Sequence, residues 1–223
     1  MNEIAQLFFD PAIAASVTPF LFRGFLVTLE LAAWTIAIGL TLGLALACLR
    51  AYQFRLLNLV VIAFVDIFRS LPALTILICI YFVLPEYDIR IGAFEATVLT
   101  LSLVLAAFAE EIFWAGITSI HKGQWEAARA TGMTFTQVLF FIILYQAIQI
   151  VLPPLTNKTI SITKNTALAS VVSVSEILNQ ASSQQALYAN PTPLTVATLF
   201  YLALFLPLVL LSRMIERRYA VRR

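Results

Sequence analysis

Residues 123–157 read GQWEAARATGMTFTQVLFFIILYQAIQIVLPPLTN. A charged, alanine-rich, glycine-ended segment here interrupts a chain that is 61% hydrophobic. Set on a helix, Trp125, Ala128 and Phe135 fall near one face, and Arg129 points elsewhere. Ala127, Ala128 and Ala130 are strong helix formers. Glu126 lies in the first turn, where the helix dipole favours an anion. Gly132 stands where a left-handed residue would end the helix. Thr134 and Gln137 then form the T-x-x-Q pattern that opens another helix. The stretch predicts a short helix, a sharp stop and a second helix entering apolar surroundings. So short a helix is marginal alone. Either it is an ordinary amphipathic loop helix, or its small body docks in a groove on a partner.

The rest of the chain supplies those surroundings. It has 223 residues, 12% of them charged, and a mean hydropathy of +0.92. Soluble domains carry about 25% charged residues, and a soluble core of this composition would expose too much apolar surface. The solvent is a bilayer. Clear spans lie at 20–50, within 56–85, at 93–117 and at 193–213. In the second, Pro72 marks a kink or a fresh start. Asp66 and Arg69 precede it on a shared helix face, in what reads as an interfacial turn before the span proper. The middle is ambiguous. Residues 138–152 are apolar but short of the roughly 20 that a span needs. Residues 153–174 are long enough but polar. Hydropathy alone favours a short first span followed by a loop.

Basic residues set the orientation. Arg213, Arg217, Arg218, Arg222, Arg223, Arg50, Arg55, Lys122 and Arg129 gather at sites that can share one side. With that side cytoplasmic, the N-terminus lies outside, five spans follow and the tail lies inside. A net charge of +2 gives no case for nucleic acid. Cys48 and Cys79 lack metal-ligand spacing and read as packing residues rather than a disulfide. His121 is the only histidine, which excludes a multi-histidine metal site. No cleavable signal peptide is evident in the acidic start. The chain has no G-x-x-x-x-G-K-[ST] phosphate loop and no clustered nucleophile, base or metal ligands, so no catalytic residues are assigned.

The opening stretch resembles the EAA loop of bacterial ABC importer permeases: E-A-A, three residues, G, then I-x-L-P after nine more. Glu126, Ala127, Ala128, Gly132, Ile142 and Leu144 match, while Tyr145 stands in place of the proline. FRSLPALTILICIYFVLP, AAFAEEIFWAGITSIHKGQ and ITKNTALASVVSVSEI are similar to further segments of the polar amino acid subgroup. The resemblance covers most of residues 20–213. It implies an all-α integral membrane fold of the type I importer (MetI-like) kind. Its five spans would run at about 20–50, 59–85, 93–117, 150–172 and 193–213. A periplasmic segment, 1–19, would precede them and a basic cytoplasmic tail, 214–223, would follow. Residues 138–149 would then lie at the cytoplasmic interface.

The resemblance also implies partners. A coupling helix at about 121–132 would dock Glu126, Ala127, Ala128, Arg129 and Gly132 against a dimer of cytoplasmic ATPase subunits, which would bind the ATP and magnesium. A periplasmic binding protein would deliver substrate. A span carrying Asn157, Lys158, Ser161, Lys164 and Asn165 cannot face lipid, so it lines a watery path or a subunit seam. At about 1.5 Å per residue, Lys164 lies roughly 20 Å from one end of its span and Glu30 roughly 15 Å from the opposite end of its own. The candidate pathway is Lys164, Asn165, Thr166, Glu30, Glu111 and Val104. The competing reading pairs Lys164 with Glu30 or another buried acid. Glu110 and Glu111 point about 100° apart, so they form no catalytic dyad and read as structural pairs. Asn165, Val104 and Trp114 depart from polar or charged residues of the family pattern, which favours a heterodimer with a second permease over a homodimer. The rival class is an ATP-independent channel or secondary transporter, whose internal repeats are not evident here.

Overall fold

The computed structural model describes residues 8–220, and every regular element among them is helical. Residues 1–7 of the N-terminal segment, and Arg222 and Arg223 of the basic tail, lie outside the described residues.

Helix α1 spans Pro11–Ala51, starting earlier than the expected residue 20. Asp10 explains the difference. Its Oδ1 accepts the backbone N–H of Ala12 at 2.8 Å and of Ile13 at 3.2 Å, and Pro11 fills the first helical position. At about 1.5 Å per residue the helix is roughly 60 Å long, twice the hydrocarbon thickness of about 30 Å. Helix α2, Arg55–Ser70, is amphipathic and buries Val61 and Val65. It stops at Leu71, held extended at φ −88°, ψ 137° by the proline that follows. The chain bends by 103° and resumes as α3, Ala73–Tyr87, whose later turns are π and 3-10. The second expected span is therefore a broken pair.

Helix α4 is Ala93–Ser119, α5 is Lys122–Ala130, α6 is Phe135–Val172, α7 is Ile177–Tyr188 and α8 is Thr192–Ala220. The middle region is one helical run, not a short span and a loop. Pro153 and Pro154 lie inside its α-helical part, Leu144–Lys164. Prolines are tolerated in membrane helices where neighbours satisfy the freed backbone groups. Val151 and Leu155, which flank them in sequence, are buried in the apolar core. Four helices are long and apolar enough to cross a membrane, and five spans result if α2 and α3 count as one. Along α8, Leu199, Leu202, Leu206 and Leu210 are each about half exposed at helical spacing, as an apolar solvent requires.

The chain divides into two compact units. One comprises Met1–Thr35, Ala73–Leu101 and Ile162–Val209. Its apolar clusters centre on Leu31, Leu77, Ala169 and Val172, and on Val17, Leu21, Ile177 and Ala181. The other comprises Ile36–Pro72, Ser102–Ser161 and Leu210–Arg223, and packs around Ala47, Phe113, Ile117, Leu139 and Ile143. In this second unit Gly39 and Gly43 bring α1 against α4. A Cβ added at Gly43 would lie 2.6 Å from the Ala109 Cβ and 2.8 Å from the Ala106 carbonyl oxygen. Two small residues four apart give the close helix contact common in membranes. Cys48 is buried there, whereas Cys79 is exposed and does not pack, and neither forms a disulfide.

Candidate functional site

Helix α5 is set between two local stops. His121 caps its start, its Nδ1 accepting the Gly123 N–H at 3.1 Å. At its end Gly132 adopts φ +88°, and its N–H donates to the Arg129 carbonyl at 3.0 Å. The next helix opens on the capping box read from the sequence. The Thr134 hydroxyl accepts the Gln137 N–H at 3.3 Å, and the Gln137 Oε1 accepts the Thr134 N–H at 2.8 Å.

One face of α5 is pinned. Trp125 and Ala128 are half-buried against the core of the second unit. The Trp125 ring stacks on Phe135 with centroids 5.3 Å apart, and the Tyr52 ring also packs on Phe135, tilted, at 5.1 Å. The Tyr52 hydroxyl lies 3.0 Å from the Thr136 hydroxyl. A cleft of about 470 Å³ opens beside these rings, with Trp114, Ile117 and Lys122 among its walls. The opposite face is free. Glu126, Ala127, Arg129 and Ala130 are exposed, and among the described residues neither Glu126 nor Arg129 forms an ion pair. The arrangement presents a small, doubly charged helical face at a fixed angle.

The pathway candidates are dispersed. Lys164 ends the α-helical part of α6, and Asn165 and Thr166 begin its 3-10 continuation to Val172. Such a mid-helix change of winding marks a hinge or a strained segment. Lys164 is exposed, with its ammonium 5.8 Å from the Phe205 ring. Thr166 is buried and donates to the Thr163 carbonyl at 2.8 Å. Glu30 is exposed, and among the described residues it forms no ion pair with Lys164 or any other cation. Val104 is buried.

The two adjacent glutamates take separate partners. Glu110 is fully buried and accepts from Arg50 at 3.1 and 3.2 Å, while Arg50 also lies 4.7 Å over the Trp114 ring. Glu111 pairs with Arg69, so Arg69 does not pair with Asp66 on its own helix. Of the polar residues in α6, Asn157 donates to Glu216 at 2.6 Å and accepts from Ser212 at 2.7 Å. Lys158 sits 3.1 Å over the Phe108 ring.

Residues 39–221 match the protein family described as the inner membrane component of binding-protein-dependent transport systems. The chain belongs to this family. It is 38% identical over 197 residues to a probable glutamine ABC transporter permease, GlnM, of Bacillus subtilis, covering 87% of this chain and 91% of the relative. It is 33% identical to the arginine transport permease ArtQ of Bacillus subtilis, with 90% and 92% covered. It is 32% identical to the glutamine permease GlnP of Escherichia coli, with 96% and 99% covered. A crystal structure of an amino acid ABC transporter with histidines aligns with TM-score 0.83 and 31% identity, covering 92% of this chain and 96% of that one. An inward-facing structure of the MetNI methionine ABC transporter, at 24% identity and TM-score 0.67, shares the fold. The protein is thus an ABC importer permease of the inner membrane, with the type I importer fold.

One group in this permease escaped sequence reasoning. Glu176 is fully buried and caps α7, its carboxylate accepting the N–H of Leu178 and of Asn179, each at 2.8 Å. The Tyr201 hydroxyl donates to the same carboxylate at 3.0 Å. Burial pushes the Glu176 carboxyl above its ordinary range, against the opposing effect of those three hydrogen bonds. The signal was present. Glu176 is the acid in ITKNTALASVVSVSEI, and an acidic residue before an apolar helix start is a capping pattern.

Proposed function

We infer that this permease conducts small polar amino acids or related zwitterionic solutes into the cytoplasm by alternating access, driven by an ATPase subunit docked on α5. The observation that carries the reading is the exposed Glu126, Ala127 and Arg129 face, held at a fixed angle by the half-buried Trp125 and Ala128. Glu126 anchors the helix in the partner through charge-assisted hydrogen bonds, and Gly132 fixes the exit of the chain from α5. The α5 side is cytoplasmic, as the basic residues require. The N-terminus is then periplasmic, where a binding protein delivers the solute. ATP and magnesium belong to the ATPase.

Glutamine and arginine in the names of its relatives support the solute class. Lys164 and Asn165, at the change of winding in α6, contact the solute. Thr166 acts through the backbone it holds. Glu30, Glu111 and Val104 are the further residues proposed for the solute's path. A second, different permease chain completes the assembly, which accounts for Asn165, Val104 and Trp114 standing at positions of different chemistry in the family pattern.

Purification of the tagged chain in mild detergent tests the coupling. An ATPase subunit and a second permease co-purify with it, and Glu126→Arg combined with Gly132→Leu removes the ATPase alone. An intact, folded chain that brings down no ATPase would refute the reading.

A further inference from the structure

Arg69, Phe108, Glu111 and Lys158 meet in one cluster of the second unit. The Lys158 ammonium lies 3.1 Å and the Arg69 guanidinium carbon 5.3 Å from the same Phe108 ring centroid. Glu111 pairs with Arg69, and Glu110 is committed to Arg50. Among the described residues Lys158 has no ion pair and no hydrogen bond, so the cluster holds two cations and one acid. An uncompensated cation inside a membrane is expensive and marks function. The ring attracts the ammonium without neutralising it, and donors on the far side of the nitrogen stay available.

The cluster is also reachable. The side chains of Arg69 and Glu111 are 33% and 47% exposed. Arg69 sits in the last turn of α2, just before the break at Leu71 and Pro72. Irregular backbone at membrane depth is tolerated where it lines a watery cavity or is buried in protein.

We propose that this cluster receives an anionic side chain of the transported solute, making the preferred substrate an amino acid with a second carboxylate. The inference rests on the transport reading above. A zwitterion's own ammonium and carboxylate cancel, so the surplus positive charge selects a solute of net charge −1. The planar fork of Arg69 and the point charge of Lys158 suit a carboxylate. A neutral amide leaves the surplus charge uncompensated, and a cationic side chain is repelled.

The test uses the purified permease–ATPase complex without its binding protein, so that selectivity belongs to the membrane subunits. Equilibrium binding of labelled L-glutamate, L-glutamine and L-arginine is compared. Glutamate binds at least tenfold more tightly than glutamine, and arginine most weakly. Lys158→Met erases the preference for glutamate over glutamine. Lys158→Glu turns the preference toward arginine, a gain that misfolding cannot imitate. If those variants do not assemble, the wild-type ratio decides alone. Glutamine bound as tightly as glutamate overturns the inference and leaves the transport reading standing. Uptake of none of the three by proteoliposomes carrying the whole system overturns the transport reading, and this inference with it.

Discussion

Replacing Gly132 with alanine isolates the role of backbone geometry at the end of α5. At φ +88° an L-residue is strained by about 1–2 kcal/mol. Nothing lies within 4 Å of the position a Cβ would take, so no steric clash adds to that cost. Against it stands the Trp125–Phe135 stack, which bridges the turn at 5.3 Å and is worth about 0.5–1.5 kcal/mol. Central values leave the turn about 0.5 kcal/mol on the wrong side, so roughly a third of molecules hold the docking geometry. Apparent affinity for the ATPase scales with that fraction, which gives a loss of about threefold for Gly132→Ala. Adding Phe135→Leu removes the reserve and exposes the whole strain, about five- to thirtyfold. Gly132→Asn stays within about twofold, because asparagine visits the left-handed region readily. The assay is the dissociation constant of the ATPase for the permease held in nanodiscs. Equal affinity for glycine and alanine in both backgrounds, or asparagine weaker than alanine, would refute the reasoning.

Three further outcomes follow from buried contacts. Glu110→Ala leaves the Arg50 charge without its partner and costs about 3–5 kcal/mol, whereas replacing both residues with methionine restores much of the thermal half-life in detergent. An equally unstable double variant would show that the pair contributes more than mutual neutralisation. Gly24→Ala lowers the unfolding temperature, because the new Cβ would lie 2.9 Å from the carbonyl carbon and oxygen of Glu176. Overpacking of about 1–3 kcal/mol against rigid backbone outweighs the helix-propensity gain of about 1 kcal/mol. For Glu176 the folded carboxyl is raised above 4.5, so its contribution is complete below about 4.5 and is lost as pH rises through the folded value. Wild type therefore loses stability relative to Glu176→Gln as pH climbs above about 4.5, and parallel melting curves would contradict this.

What could be read from the sequence was local. The alanine-rich turn, the left-handed glycine and the T-x-x-Q box each depend on residues within a few positions, and all three stand in the structure where they were expected. The apolar runs of α1, α4 and α8 were equally plain, since hydropathy averages over a window. The start of α1 was missed because Asp10 and Pro11 act through capping geometry, which a hydropathy average does not register. The continuity of α6 was obscured because a polar helix shielded by protein has the same composition as a loop. The partners of Arg69 and Arg50, and the Tyr201 hydroxyl that meets Glu176, were beyond reach, since each lies on a different helix. Helix spacing offered Asp66 to Arg69, and tertiary packing chose Glu111.

The polar helix α6 shows how one run of side chains can serve two ends. Asn157 and Lys158 are consecutive, so their side chains diverge by about 100°. Asn157 turns toward α8, where Ser212 and Glu216 use its oxygen and its nitrogen. A polar side chain so engaged is a structural tie, and its replacement by leucine would strand Glu216. Lys158 turns instead toward α4 and meets an aromatic face that attracts its charge without cancelling it. The polarity of α6 is therefore not that of a uniformly wet wall. Satisfied groups fasten the helix to a neighbour along one line, and an unsatisfied cation is left on another. In the second unit the anchored amide of Asn157 and the uncompensated cation of Lys158 thus lie at different helical phases of α6.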